Sequence, residues 1–222
     1  MIRARSFVLA ALLAPLAAGA LSARSQVIVV DDGGGAGVDF TEISEAVAVA
    51  GSGDLVLVKT GNYAPFSIFG KGLSVVADNQ QTVFVNGQIL VQDVPAGALV
   101  VLRGLSTGPP SGHGLLVRNC AGAVRVEECS FSGQPSPTQY QNEMEFSGAR
   151  IGGSADVALL GSTFQGGNGK NVGFFGEPWS GAAGVRVDSS SIVVVDCELR
   201  GGHGADAPIG DSYSGGSGGD GI

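Results

Sequence analysis

Three stretches of this chain are variations on one another, and this repetition limits the possible fold more than any other feature. Gly114–Gly133, Gly148–Gly166 and Gly184–Gly201 each open on glycine, carry two short β-branched runs, and close on an apolar residue two places before a second glycine. The closing residues are Phe131, Phe164 and Leu199, which lie 17, 16 and 15 residues after their opening glycines. A weaker, earlier copy closes at Leu105. What changes between copies is the spacer leading to the next opening glycine. It grows from 9 residues (Leu105 to Gly114) to 17 (Phe131 to Gly148), 20 (Phe164 to Gly184) and 22 (Leu199 to Gly221). A core of nearly constant length with one variable insertion is the pattern of a solenoid whose insertions leave from one side. The runs are three to five residues long with glycine, asparagine or aspartate between them, which suits strands rather than helices. Stacked turns of such strands lie about 4.8 Å apart. The expected inner columns are Val124, Val157 and Ile192, and Phe131, Phe164 and Leu199.

Glycine makes up 38 of 222 residues, yet there are only 9 prolines and no every-third-residue glycine, so a collagen helix is excluded. A hydrophobic content of 44% excludes a disordered chain. Net charge is −8, or −10 once Arg3 and Arg5 are removed with a leader, which argues against a nucleic-acid partner.

Arg3 and Arg5, the apolar run Phe7 to Leu16 and the small residues Ala17 to Ala23 have the order of a secretory signal peptide over residues 1–23. The apolar run is shorter than the roughly 20 residues a membrane-spanning helix needs, so an integral membrane protein is not expected. Residues 24–53 then supply a strand and a helix. Asp39 and Glu42 have the spacing of a capping box, and Phe40, Ile43, Val47 and Ala50 fall on one helical face before Gly51 stops the helix. Short strands follow at Leu55–Val58, Ser74–Val76, Thr82–Val85, Ile89–Val91 and Leu99–Leu102, and residues 54–222 form the coils. Gly221-Ile222 matches the opening of the earlier copies, so the expectation is a solenoid truncated at its C-terminus.

The run from Val27 through Asp31-Asp32-Gly33-Gly34-Gly35, Asp39-Phe40 and Ile43 to Val47 carries a family resemblance. With Gly53-Asp54 and Gly61-Asn62-Tyr63, it resembles the start of the right-handed parallel β-helix proteins of the pectin lyase-like superfamily. The likeness is close over residues 27–76 and extends across residues 77–222 as repeat texture. It implies an all-β, right-handed parallel β-helix (solenoid) with a short N-terminal capping α-helix. It leaves activity open, because the superfamily holds lyases, hydrolases, esterases and adhesins.

Glycoside hydrolysis needs a pair of carboxylates, and the resemblance brings in lyase chemistry, which uses a basic residue and commonly calcium. Outward-facing candidates are Glu127, Glu128, Asp156, Asp188, Asp196 and Glu198, near Arg125, Arg150 and Arg186. No pair among them stands out as catalytic. Arg150 and Arg186 each lie two places past an opening glycine, so they are expected to stack as a basic ladder facing Asp188 and to contact substrate. Cys120, Cys129 and Cys197 are an odd number in an exported chain. Cys129 and Cys197 fall at equivalent places two coils apart, too far to bridge, whereas Cys120 and Cys129 share a coil. His113 and His203 lack zinc spacing with any cysteine pair.

Gly201-Gly202-His203-Gly204-Ala205-Asp206 and Gly215–Asp220 both fit the glycine-rich turn of calcium-binding repeats, which makes Asp206 and Asp220 candidate ligands and calcium the one cofactor suggested. Their 14-residue offset departs from the nine of tandem repeats. Gly215 to Gly219 also spells a nucleophile elbow, but without the strand and helix that motif requires. The lengthening spacers carry aromatic rings: Tyr140, Trp179 and Tyr213. Rings stacked along one flank suit sugar faces. The leading expectation is therefore a secreted binder of an extracellular or cell-surface polysaccharide. The alternatives are a polysaccharide lyase or glycoside hydrolase, and a structural or adhesive surface protein.

Overall fold

The computed structural model describes residues 25–78, 82–108, 112–134, 146–169, 180–204 and 218–222. The first elements are β1 (Val27–Val30), α1 (Ile43–Val49), β2 (Leu55–Val58), β3 (Gly61–Tyr63), β4 (Ser67–Phe69), β5 (Ser74–Ala77), β6 (Val83–Val85), β7 (Ile89–Gln92), β8 (Leu99–Arg103) and β9 (Leu105–Thr107). The repeats supply β10 (Leu115–Arg118), β11 (Ala123–Glu127), β12 (Ser130–Ser132), β13 (Ala149–Gly152), β14 (Asp156–Leu160), β15 (Thr163–Gln165), β16 (Val185–Asp188), β17 (Ile192–Val195) and β18 (Glu198–Arg200).

From β2 onward each turn of chain visits three sheets in order. The widest sheet stacks β1-β2-β5-β8-β11-β14-β17, the second β3-β6-β9-β12-β15-β18, and the third β4-β7-β10-β13-β16. Every pairing within them is parallel. The chain is thus a parallel β-helix. Alternation along each strand sends one set of side chains inward, and these stack like on like. One column runs Ile28, Val56, Val75, Leu102, Val126, Leu159 and Val194. Another runs Tyr63, Val85, Thr107, Phe131, Phe164 and Leu199, with the two phenylalanine rings 5.8 Å apart. Both columns expected from the repeats are present.

The register corrects one expectation. Phe131 lies beside Thr107, not Leu105, so the earliest copy closes two residues later than its sequence suggests. The cause is the apolar character of Leu105, which faces the core at the place of Cys129 while a threonine holds the closing position. Thr107 Oγ1 is buried without a hydrogen-bond partner among the described residues, as is Ser147 Oγ. Replacing a buried, unpaired hydroxyl by a methyl of the same shape removes a desolvation cost. Thr107→Val should therefore raise unfolding free energy by about 1 kcal/mol, measured by chemical denaturation. A clear loss instead would mean the hydroxyl has a partner.

From β7 onward each coil turns two corners through a residue in the left-handed region. Asn119 and Glu128 hold these places in one coil, and Gly153 and Gly161 take them in the next. In the three repeats a small residue follows each bend and takes part in a bond between neighbouring coils. Ser154 Oγ accepts the Cys120 amide hydrogen, Ser190 Oγ that of Ser154, and Ser162 Oγ that of Cys129. The cysteines belong to these corner ladders, and all three are free. Burial pushes the Cys129 thiol up to about 12, so it supplies no thiolate at neutral pH.

The helix covers the first coil with Ile43, Ala46 and Val47 buried against it. Its expected capping box does not form. The helix starts at Ile43 after Glu42, with no side-chain cap. Asp39 instead accepts the Val29 amide hydrogen and Glu42 that of Ala64, because these amides compete for both carboxylates. At the other end Lys71 Nζ donates to the carbonyls of Val47 and Ala50, satisfying orphan acceptors of the last turn.

Candidate functional site: the flank where the spacers leave

Every spacer departs at the end of a strand of the second sheet (β9, β12, β15 or β18) and returns at a glycine. Gly114, Gly148 and Gly184 each lead into a strand of the third sheet. The opening glycines themselves stack. The Gly148 carbonyl accepts from Leu115, that of Gly184 from Ala149, and that of Gly221 from Val185. The feet of the spacers form a second file beside this corner. Gly167 donates to Phe146, Ala182 to Gly167, Gly202 to Ala182, and Gly219 to Gly202, so departing and returning segments alternate along the stack. Side chains are excluded here by contact. A methyl group on Gly133 would lie 1.8 Å from the Phe146 carbonyl oxygen, one on Gly166 2.0 Å from that of Ala182, and one on Gly201 1.8 Å from that of Gly219. Much of the glycine in this sequence makes this glycine stem.

On the second-sheet side the stem borders an open groove of about 480 Å³, lined by Ser132, Gly133, Gln134, Gln165, Gly166, Gly167, Asn168, Gly169 and His203. Gln165 Nε2 donates to the carbonyls of Gly166 and Gly201, and Asn168 Oδ1 accepts the His203 amide hydrogen. Gly201 and Gly202, expected as part of a cation turn, serve here as backbone packing. Asp220 lies at the stem with its carbonyl accepting from Gly184, and its proposed companion Asp206 lies outside the described residues. Among the described residues no three histidine, cysteine or acidic side chains converge on a point where a metal could sit.

On the third-sheet side Arg150 and Arg186 are direct neighbours across β13 and β16, as their spacing predicts. Both reach Asp188, at 3.2 Å and 3.8 Å, so two guanidinium groups share one carboxylate. His113 sits at the same corner, buried, with Nδ1 accepting the Ser147 amide hydrogen at 3.0 Å and Phe146 edge-on to its ring. Burial, then the positive charge of Arg150 and of Arg186, lower its pKa to about 4.

Three of the remaining carboxylate candidates, Asp156, Glu128 and Glu198, are paired on the outer faces. Arg125 pairs with Asp156 at 3.0 Å, Arg103 with Glu128 at 3.0 Å, and Arg200 with Glu198. These pairs are solvent-exposed and individually worth little. Tyr140, Trp179 and Tyr213 lie outside the described residues, although Trp179 directly precedes Ser180 at the foot of its spacer. Sequence reasoning missed the groove. Its signal was a glycine two places after each closing residue (Gly133, Gly166 and Gly201), where a side chain would collide with neighbouring backbone. No helix among the described residues is long and apolar enough to cross a membrane.

No protein-family model, curated protein or solved structure matches this chain.

Proposed function

We propose that the protein is a secreted member of the pectin lyase-like superfamily that holds an extracellular or cell-surface polysaccharide against the flank where its spacers leave. The observation that carries this is the shared corner. The spacers that follow β12, β15 and β18 start and end on one file of backbone, so their feet are repeated along the stack at strand spacing. A repeating surface of that kind suits a repeating ligand. The spacer aromatics Tyr140, Trp179 and Tyr213 supply ring faces for sugar C–H surfaces, and Arg150 and Arg186 extend the same flank with hydrogen-bond donors. The leader-like residues 1–23 support export.

Binding is favoured over catalysis because Glu128, Asp156, Asp188 and Glu198 are each engaged by an arginine rather than poised in a facing pair. The test is affinity electrophoresis of the mature protein through gels containing cell-wall polysaccharides. Retardation is expected, and Trp179→Ala or Tyr140→Ala should weaken it about tenfold, or 1.4 kcal/mol per ring. Unchanged retardation in both variants would remove the aromatic surface from the proposal. New reducing ends or ultraviolet-absorbing unsaturated products would replace binding with hydrolase or lyase activity.

A further inference from the structure

We infer that the groove beside the glycine stem selects an uncharged sugar, with Asn168 and Gln165 as the selecting side chains, an inference that rests on the glycan-binding proposal above. Among the described residues that line it there is no lysine, arginine, aspartate or glutamate. Its rim is two glutamines, an asparagine, a serine and a histidine, and its floor is glycine backbone. Two of the amides are oriented by the stem itself. Asn168 Oδ1 is held by the His203 amide hydrogen, which leaves its Nδ2 as a donor without a partner among the described residues. Gln165 spends its Nε2 on the Gly166 and Gly201 carbonyls, which leaves its Oε1 as an acceptor. A fixed donor and a fixed acceptor in one groove match neighbouring hydroxyls, each of which can give and take a hydrogen bond.

A uronate would need something else. Its carboxylate calls for charge-assisted donors or a bridging cation, and the described residues of the groove lining include no cationic or acidic side chain to provide either. The protein's net charge of −8 also repels a polyanion. The arginine pair on the far side of the stem shares its charge with Asp188.

Affinity electrophoresis of the intact mature protein tests this with galactomannan, xyloglucan and dextran against polygalacturonate and alginate, with and without calcium. Retardation by at least one neutral polymer and by neither acidic one is expected. Asn168→Asp keeps the shape of an exposed side chain while turning its donor into an anion, and should weaken neutral binding about tenfold with an unchanged melting temperature. Gln165→Glu, a similar exchange at the acceptor, serves as the second variant. Retardation by the acidic polymers alone would overturn the neutral-sugar inference and leave glycan binding intact. Neutral binding untouched by both variants would overturn the groove as its site. Retardation by none of the five polymers would count against both the inference and the proposal beneath it.

Discussion

Gly133→Ala should unfold the protein or lower its stability by at least about 3 kcal/mol, as read by chemical denaturation. The new methyl would lie 1.8 Å from the Phe146 carbonyl oxygen and 2.7 Å from the Ser147 carbonyl carbon. Both neighbours are backbone, and both belong to segments already fixed by hydrogen bonds. Gly167 donates to Phe146, and Ser147 donates to His113. Neither can move without shifting the coil it enters. Gly152→Ala is the control. Its methyl would meet nothing closer than the Asp188 carbonyl oxygen at 3.9 Å, so its effect should stay within about 0.5 kcal/mol. Equal losses in the two variants would mean that glycine serves flexibility here rather than contact between backbones.

A second large effect concerns acid. His113 titrates near 6.5 when unfolded and near 4 in the folded protein, because burial, Arg150 and Arg186 all disfavour the charged ring. Its Nδ1 also needs a free lone pair to accept the Ser147 amide hydrogen. The unfolded chain therefore takes up a proton below pH 6.5 that the folded chain refuses until about pH 4. The resulting contribution is fully present above pH 6.5 and is lost as pH falls from there to 4, amounting to about 3 kcal/mol. Asp54 acts in a separate window. The amide hydrogens of Gln26 and Gly51 hold its carboxylate below 3.8, so its contribution persists above that value and is lost only in stronger acid. His113→Asn, compared with the parent at pH 7, 5.5 and 4.5, should flatten the dependence on pH. A slope unchanged by the substitution would place the acid-sensitive group elsewhere.

The coil was legible in the sequence because inward columns impose a pattern on it: phenylalanine over phenylalanine, valine over valine, and a glycine at each return. Arg150 over Arg186 followed from the same offset. What escaped was whatever depended on competition between partners. Asp39 and Glu42 had the spacing of a helix cap, but the amides of Val29 in β1 and of Ala64 just past β3 took both carboxylates. Leu105 had the character of a closing residue, but the register gave that place to Thr107. The glycine stem escaped for a different reason. A glycine that excludes side chains and a glycine that bends the chain are written with the same letter, and only the carbonyl 1.8 Å from Gly133's missing methyl tells them apart.

The alternating file of departing and returning backbones has a consequence for how such a chain can diversify. Because the anchorage is made of main-chain amides and carbonyls, it places no demand on what lies farther out. Closure entropy rises only with the logarithm of length, so an excursion of seventeen residues and one of twenty are tolerated on the same footing. New recognition chemistry can then be grafted one storey at a time while the floors between stay unaltered. The architecture behaves as a rack with interchangeable fittings.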